Sequence, residues 1–233
     1  MAITKHDIIA IPLQKQEILR AIEIAKNQTF LNNLRERHSN VSFDSKLRGY
    51  VGEIALLRWL KSHDIVVTPT NYVTNESGMD IDFIYKLKNK NLEIELKTSL
   101  IPDVDKTLEK ALQKRDIKII RRNNESLENL KSDVHIQLYY NQLRSAKDNW
   151  LITKNIDLNS NDLEYLYETL GARRYLTDTY LCAWIDKPTL LNQINNKPNN
   201  KKTWRYEMRE FWNCNINYDA KKPLDLITYL QNI

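Results

Sequence analysis

Apolar positions along the chain change period several times, and the changes outline its elements. Leu13, Ile18, Leu19, Ile22, Ala25, Phe30 and Leu34 recur at roughly helical spacing, which predicts a helix over residues 12–38 with Pro12 in its first turn. The polar residues 40–45 predict a break, with Ser42, Asp44 and Ser45 as N-cap candidates for a second helix over 46–63. That helix is apolar nearly all round, through Leu47, Tyr50, Val51, Ile54, Ala55, Leu56, Leu57, Trp59 and Leu60, which is the pattern of a buried helix. A short strand is expected at 64–69 and a polar loop at 70–78. The period then drops to two. Ile81, Phe83 and Tyr85 alternate with Asp80, Asp82 and Ile84, and Leu92, Ile94 and Leu96 alternate with Glu93, Glu95 and Lys97. The polar run 88–91 between them reads as a tight turn, so 80–97 is predicted to be a hairpin.

Further along, 104–131 is highly charged and reads as partly helical, with a break near Asn123-Asn124. DVHIQLYY (133–140) reads as a strand, 149–154 as another, 158–170 as a helix ending near Gly171, and TYLCAWI (179–185) as a strongly apolar strand. A short helix over 188–195, the polar loop NNKPNNKK and a last helix over 224–230 complete the chain. Strands mixed with helices in this order predict an α/β fold, a mixed central β-sheet flanked by helices.

The hairpin carries the candidate chemistry. Strand alternation puts Glu95 and Lys97 on one face and Leu92, Ile94 and Leu96 on the other; Asp80 and Asp82 likewise share a face. Burying both apolar sets on one side gathers the acids and the lysine on the opposite side. A two-residue turn at Asn89-Lys90 sets Asp82 across from Lys97 and Asp80 across from Ser99, and a one-residue slip would separate the groups. Carboxylates of this kind suit Mg2+, a hard cation that takes carboxylates, waters and phosphate oxygens. Such an ion polarises a phosphate and generates a nucleophile from water at neutral pH, while a neighbouring lysine orients that water or offsets charge.

Glu53 stands in the otherwise apolar run GYVGEIALLRWL, where a carboxylate needs a partner or a metal. Arg48 and Lys97 are candidate partners if its role is structural. Of only four glycines, Gly49, Gly52 and Gly78 lie close to these acids, which points to a crowded site. With these residues in place, the chain resembles the PD-(D/E)xK nuclease superfamily, whose pattern is a helix glutamate, then Gly-x-Asp on a strand, then Glu-x-Lys on the next strand. The matching residues are Glu53 in GYVGE, Asp80 in GMDIDF, and Glu95 with Lys97 in IELKTS. The match covers about residues 46–100, under a quarter of the chain, and Met79 stands where the pattern nominally has proline.

The resemblance implies a restriction-endonuclease-like fold and Mg2+-dependent hydrolysis of phosphodiester bonds, with Mn2+ as a substitute and Ca2+ as an ion that binds without cleavage. It implies that Glu53, Asp80, Glu95 and Lys97 are catalytic: Asp80 and Glu95 bind metal, Lys97 assists the attacking water, and Glu53 supports the metal or its water. Asp82 is a second acid two residues on, which leaves the ligand open between the two, although the Gly78 spacing favours Asp80. The expected organisation is one nuclease domain over 1–233, with its catalytic core at about 46–140 and recognition and dimerisation elements in 1–45 and 141–233. The expected function is that of a homodimeric type II restriction endonuclease acting on a specific double-stranded DNA sequence. Its rivals are a structure-selective or DNA-repair nuclease of the same superfamily and a non-catalytic DNA-binding protein on a decayed nuclease fold.

Composition adds little to this. Net charge is +5 with pI about 9.0, compatible with a polyanionic partner but only mildly basic. Thr98, Ser99, Arg121, Arg122, Lys197, Lys201, Lys202 and Arg205 are the candidate DNA contacts. Trp184, Trp204, Phe211 and Trp212 read as core residues rather than base-stacking ones. Cys182 and Cys214 lack metal spacing and read as buried, reduced thiols of a cytoplasmic protein. No membrane span and no signal peptide are expected. His6, His38, His63 and His135 show no paired spacing and read as structural or exposed, and His135 stands out only for its place on a predicted strand beside Gln137.

Overall fold

The computed structural model describes residues 2–27, 37–70, 81–122, 125–206 and 209–233. In chain order its elements are β1 (Ile9–Ala10), α1 (Lys15–Asn27), α2 (Ser39–Lys61), β2 (Thr68–Pro69), β3 (Phe83–Lys86), β4 (Asn91–Ile101), α3 (Leu108–Lys114), β5 (Ile119–Arg121), β6 (Val134–Leu143), α4 (Arg144–Ile152), α5 (Leu163–Thr169), β7 (Thr179–Asp186), α6 (Lys187–Asn195), β8 (Thr203–Tyr206), β9 (Arg209–Trp212) and α7 (Pro223–Gln231). Six strands form a sheet in the order β1-β7-β6-β4-β3-β2. Only β4 and β6 pair in parallel; the other neighbours are antiparallel, so the sheet is mixed. A separate antiparallel sheet has the order β5-β9-β8.

Each face of the main sheet is closed by its own apolar cluster. On one face, Ile94, Leu96 and Leu100 of β4 and Val134, Ile136, Leu138 and Tyr140 of β6 pack with Ile18, Ala21 and Ile22 of α1, Leu47, Val51, Ala55 and Leu56 of α2, and residues of α5 and α7. On the other face, Ile101, Tyr139, Ala183 and Ile185 meet Ala111 and Leu112 of α3, Ile119 of β5, Leu127, Leu130, Leu190, Ile194 and Trp212. β4 and β6 are therefore covered on both sides, as expected of parallel neighbours. Cys182 and Cys214 are buried free thiols, and Trp184, Phe211 and Trp212 are buried, whereas Trp204 is half-buried. No described helix is long and apolar enough to cross a membrane.

Several boundaries differ from expectation. Helix α1 ends at Asn27, and 28–36 lie outside the described residues. The expected break at 40–45 is helical, because α2 begins at Ser39. Its polar first turns are satisfied by distant groups rather than acting as caps: Asn40 donates to the carbonyls of Leu151 (3.0 Å) and Lys154 (2.9 Å), and Asp44 accepts from the Tyr175 hydroxyl (2.6 Å). The cap is His38, whose ring accepts the Asn40 N–H. Residues 149–152, expected to be a strand, are the end of α4, with Leu151 turned into the core. The charged stretch 104–131 contains the strand β5 after a short helix α3, and the β8–β9 hairpin was not foreseen.

The predicted hairpin forms with its turn one residue earlier. Leu87 N–H donates to Lys90 O at 2.9 Å, which makes Lys88-Asn89 the two turn residues. The register is Phe83↔Ile94, Ile84↔Glu93, Tyr85↔Leu92 and Lys86↔Asn91. Phe83 and Ile94 thereby meet in the core, where both are fully buried. The pairing is displaced by two residues from the expected one, so Asp82 does not lie opposite Lys97. Because the displacement is even, each side chain keeps its expected face.

Candidate active site

The parallel pairing of β4 and β6 builds the polar part of the site. Glu95 lies beside His135, Lys97 beside Gln137, and Ser99 beside Tyr139. The row sits on the face closed by the second apolar cluster, so it is a polar seam between two packed layers. Glu95 is only 3% exposed and His135 only 1%. A buried carboxylate needs partners, and Glu95 has two: Oε1 is ion-paired with Lys97 Nζ, and Oε2 lies 2.8 Å from His135 Nδ1. Burial opposes its ionisation, but Lys97 and the His135 hydrogen bond outweigh that and hold the carboxyl down to about 2. The Lys97 side chain remains 25% exposed, so the pair reaches solvent through its cation.

Neighbouring groups fix the strands around this pair. The Gln137 amide donates to Lys97 O at 3.0 Å and to Ser99 Oγ at 3.1 Å. Asp82, just before β3, donates its N–H to Ile94 O (2.9 Å) and accepts the Leu96 N–H on Oδ2, so it brackets Glu95 along β4. A cavity of about 30 Å³ lies against Glu95, lined also by Arg122, Glu125, Lys131 and Ser132; it has room for one water. A larger cavity of about 320 Å³, between Ile3, Leu112 and Tyr218, touches none of these residues.

Glu53 is half-buried on α2, next to the position where that helix meets β4. At Gly52 an added Cβ would stand 2.5 Å from Thr98 Cγ2, so glycine is required for the contact. Gly49 is different, since a Cβ there would meet nothing within 4 Å, and the expected crowding does not extend to it. Tyr50 links Glu53 to the strand side: burial, with the charges of Glu53 and Asp82, pushes its hydroxyl up to about 12. Arg48 pairs with Asp44 at 3.1 Å, and Lys97 pairs with Glu95.

Asp80, the expected first metal ligand, and Gly78 lie outside the described residues. Among the described residues no group of three or more His, Cys, Asp or Glu side chains stands close enough to hold a metal ion. In kind, the donors fit a hard cation: Glu95 is an ionised carboxylate and Asp82 a second oxygen donor on the adjacent strand. Asp82 Oδ2 accepts a backbone amide N–H of β4.

The candidate DNA contacts are scattered. Ser99 is buried, and Thr98 packs against Gly52. Lys197 is bonded to Asn213 and Asp219, and Arg121 to Glu210 at 3.1 Å while lying over the Trp212 ring. Arg122, Lys201 and Arg205 are exposed and Lys202 is half-buried. Lys201, Lys202 and Arg205 lie on or beside β8 in the small sheet, with Arg205 3.9 Å from Glu210.

His135 is the site residue that sequence reading set aside as structural or exposed. Its signal was present: in VHIQL the polar His135 and Gln137 alternate with Val134, Ile136 and Leu138, which gives them one face of a strand. Compared with family models, curated proteins and solved structures, the chain matches none.

Proposed function

We propose that the chain is a Mg2+-dependent endonuclease of the restriction type that cleaves double-stranded DNA. The observation that carries this reading is the Glu95–Lys97 pair: a carboxylate held ionised inside the protein by a lysine two residues along the same strand, with that lysine open to solvent. Glu95 and an acid from the preceding segment, Asp80 or Asp82, would hold the cation. When bound, the cation supplies polarisation of the scissile phosphate and a water that ionises near neutral pH. Lys97 keeps an ammonium at the mouth of the site, where it orients the attacking water and offsets charge on a phosphate oxygen. Glu53, beside Tyr50, adds a further carboxylate from the helix side. Two copies related by a two-fold axis would cut both strands of a palindromic sequence.

One observation favours a second reading, a non-catalytic protein in which this pair is structural: both oxygens of Glu95 are engaged, one by Lys97 and one by His135. Incubating the chain with unmethylated plasmid and Mg2+ separates the two. Discrete fragments support restriction, and a smear supports a nuclease without sequence preference. Intact plasmid across several DNAs, metals and salt concentrations overturns the enzyme and leaves the structural reading.

A further inference from the structure

We propose that His135 is the positioning residue of Glu95, an inference that rests on the nuclease reading above. His135 Nδ1 lies 2.8 Å from Glu95 Oε2, and a carboxylate oxygen accepts, so the imidazole N–H at Nδ1 is the donor. The two residues are register partners on adjacent parallel strands that are covered on both faces, and neither backbone can shift without disturbing both clusters. The hydrogen bond thus sets the side-chain torsions of Glu95: Oε2 is fixed against the imidazole, and Oε1 is turned along β4 towards Lys97. A cation at this site would meet Oε1, with Lys97 as the group it displaces.

A second observation shows that packing does not account for the imidazole. Among the described residues, the buried His135 Nε2 has no hydrogen-bond partner. A buried polar atom left unpaired costs stability that an apolar side chain would not. Ile185, its register partner on β7 and on the same face, is fully buried and apolar, so this layer readily takes such residues. Among the described residues the ring bonds only Glu95, and holding a carboxylate that must point one way accounts for its presence, as groups behind metal ligands do.

The test is Mn2+ binding to the full chain, followed by electron paramagnetic resonance, with a circular dichroism melt of each variant. The variants are E95Q, H135L and H135N; the amide of the last can present an N–H where Nδ1 stands. E95Q should abolish binding at the site. H135L should weaken Mn2+ affinity by ~10–100-fold, and H135N should recover most of that loss. Wild-type affinity in H135L, with binding lost in E95Q, overturns the positioning role and leaves the nuclease site standing. Wild-type affinity in E95Q, or no binding by the wild type, removes the metal reading itself and this inference with it. Should H135L fail to fold, H135N is compared with H135Q, whose longer side chain moves the donor: tighter Mn2+ binding by H135N supports the proposal, and equal affinity overturns it.

Discussion

Two buried carboxylates, Glu95 and Asp44, lie on opposite faces of the main sheet and are furnished differently. Asp44, on α2, is fully buried against the buried Tyr175 hydroxyl at 2.6 Å and Lys147 Nζ at 3.5 Å, and against Arg48 Nε at 3.1 Å, whose side chain is 12% exposed. Lys147 is enclosed too, donating to Leu170 O and lying over the rings of Trp150 and Tyr175; burial pushes its ammonium down, against the pull of Asp44. Glu95 has as many engaged oxygens, but one of its partners, Lys97, reaches solvent. The Asp44 cluster is closed on every side and ties α2 to α4 and to the turn before β7. The Glu95 cluster is rigid at its base and open at one cation. An enclosed ion pair of the first kind serves the fold, whereas one with an accessible member can also meet a substrate.

That contrast can be broken most sharply at the two lysines' partners. Lys97→Ala should lower DNA cleavage by ~10²–10⁴-fold while DNA binding, measured by anisotropy, stays close to wild type; the melting temperature should fall as well, because Glu95 loses the cation that holds it ionised. A large loss of stability without a loss of cleavage would make the two clusters alike. Asp44→Ala should act the other way. It leaves two buried cations without their anion, and urea unfolding should show a loss of about 3–5 kcal/mol, with specific activity of the folded protein retained.

The two clusters should also separate in pH. The carboxyl of Glu95 is lowered from 4.5 to about 2, so its contribution to stability is fully present above about 4.5 and is lost as pH falls towards 2. The shift corresponds to on the order of 3 kcal/mol, and E95Q should flatten that part of the stability–pH curve relative to wild type. A wild-type curve already flat there would show that the carboxylate is not held ionised. The smallest effect is expected for Tyr175→Phe, which removes one hydrogen bond to Asp44 and should cost about 1.5–3 kcal/mol in urea unfolding without changing cleavage.

Much of this was legible in the sequence where a signal is local. The hairpin, the strands over 134–143 and 179–186 and the faces of Glu95 and Lys97 follow from alternation, since the period of a strand is set by its own backbone. The start of α2 was not legible, because Ser42, Asp44 and Ser45 look like cap residues after a break that begins at Asn40, until Leu151, Lys154 and Tyr175, more than 100 positions away, satisfy Asn40 and Asp44. The strand expected at 149–154 failed because a short apolar run does not distinguish a strand from the buried side of a helix, and 149–152 end α4. His135 escaped for a related reason: its partner is 40 residues distant, and only the parallel pairing of β4 with β6 brings them together.

The alternation of β4 also limits how the chain can change in length. Odd-numbered positions of this strand, Glu95, Lys97 and Ser99, serve the polar seam; even-numbered Leu92, Ile94, Leu96 and Leu100 serve the helical core. One residue inserted between Leu92 and Ile94 with the downstream pairing kept would be absorbed as a bulge, but propagated along the strand it would carry the carboxylate and the lysine into the helical core and push leucines into the seam. Two inserted residues would return every side chain to its own face. Length changes that propagate along this segment are thereby confined to even steps, and an odd one must be absorbed locally by a bulge, a parity rule that any homologous chain sharing the site should obey.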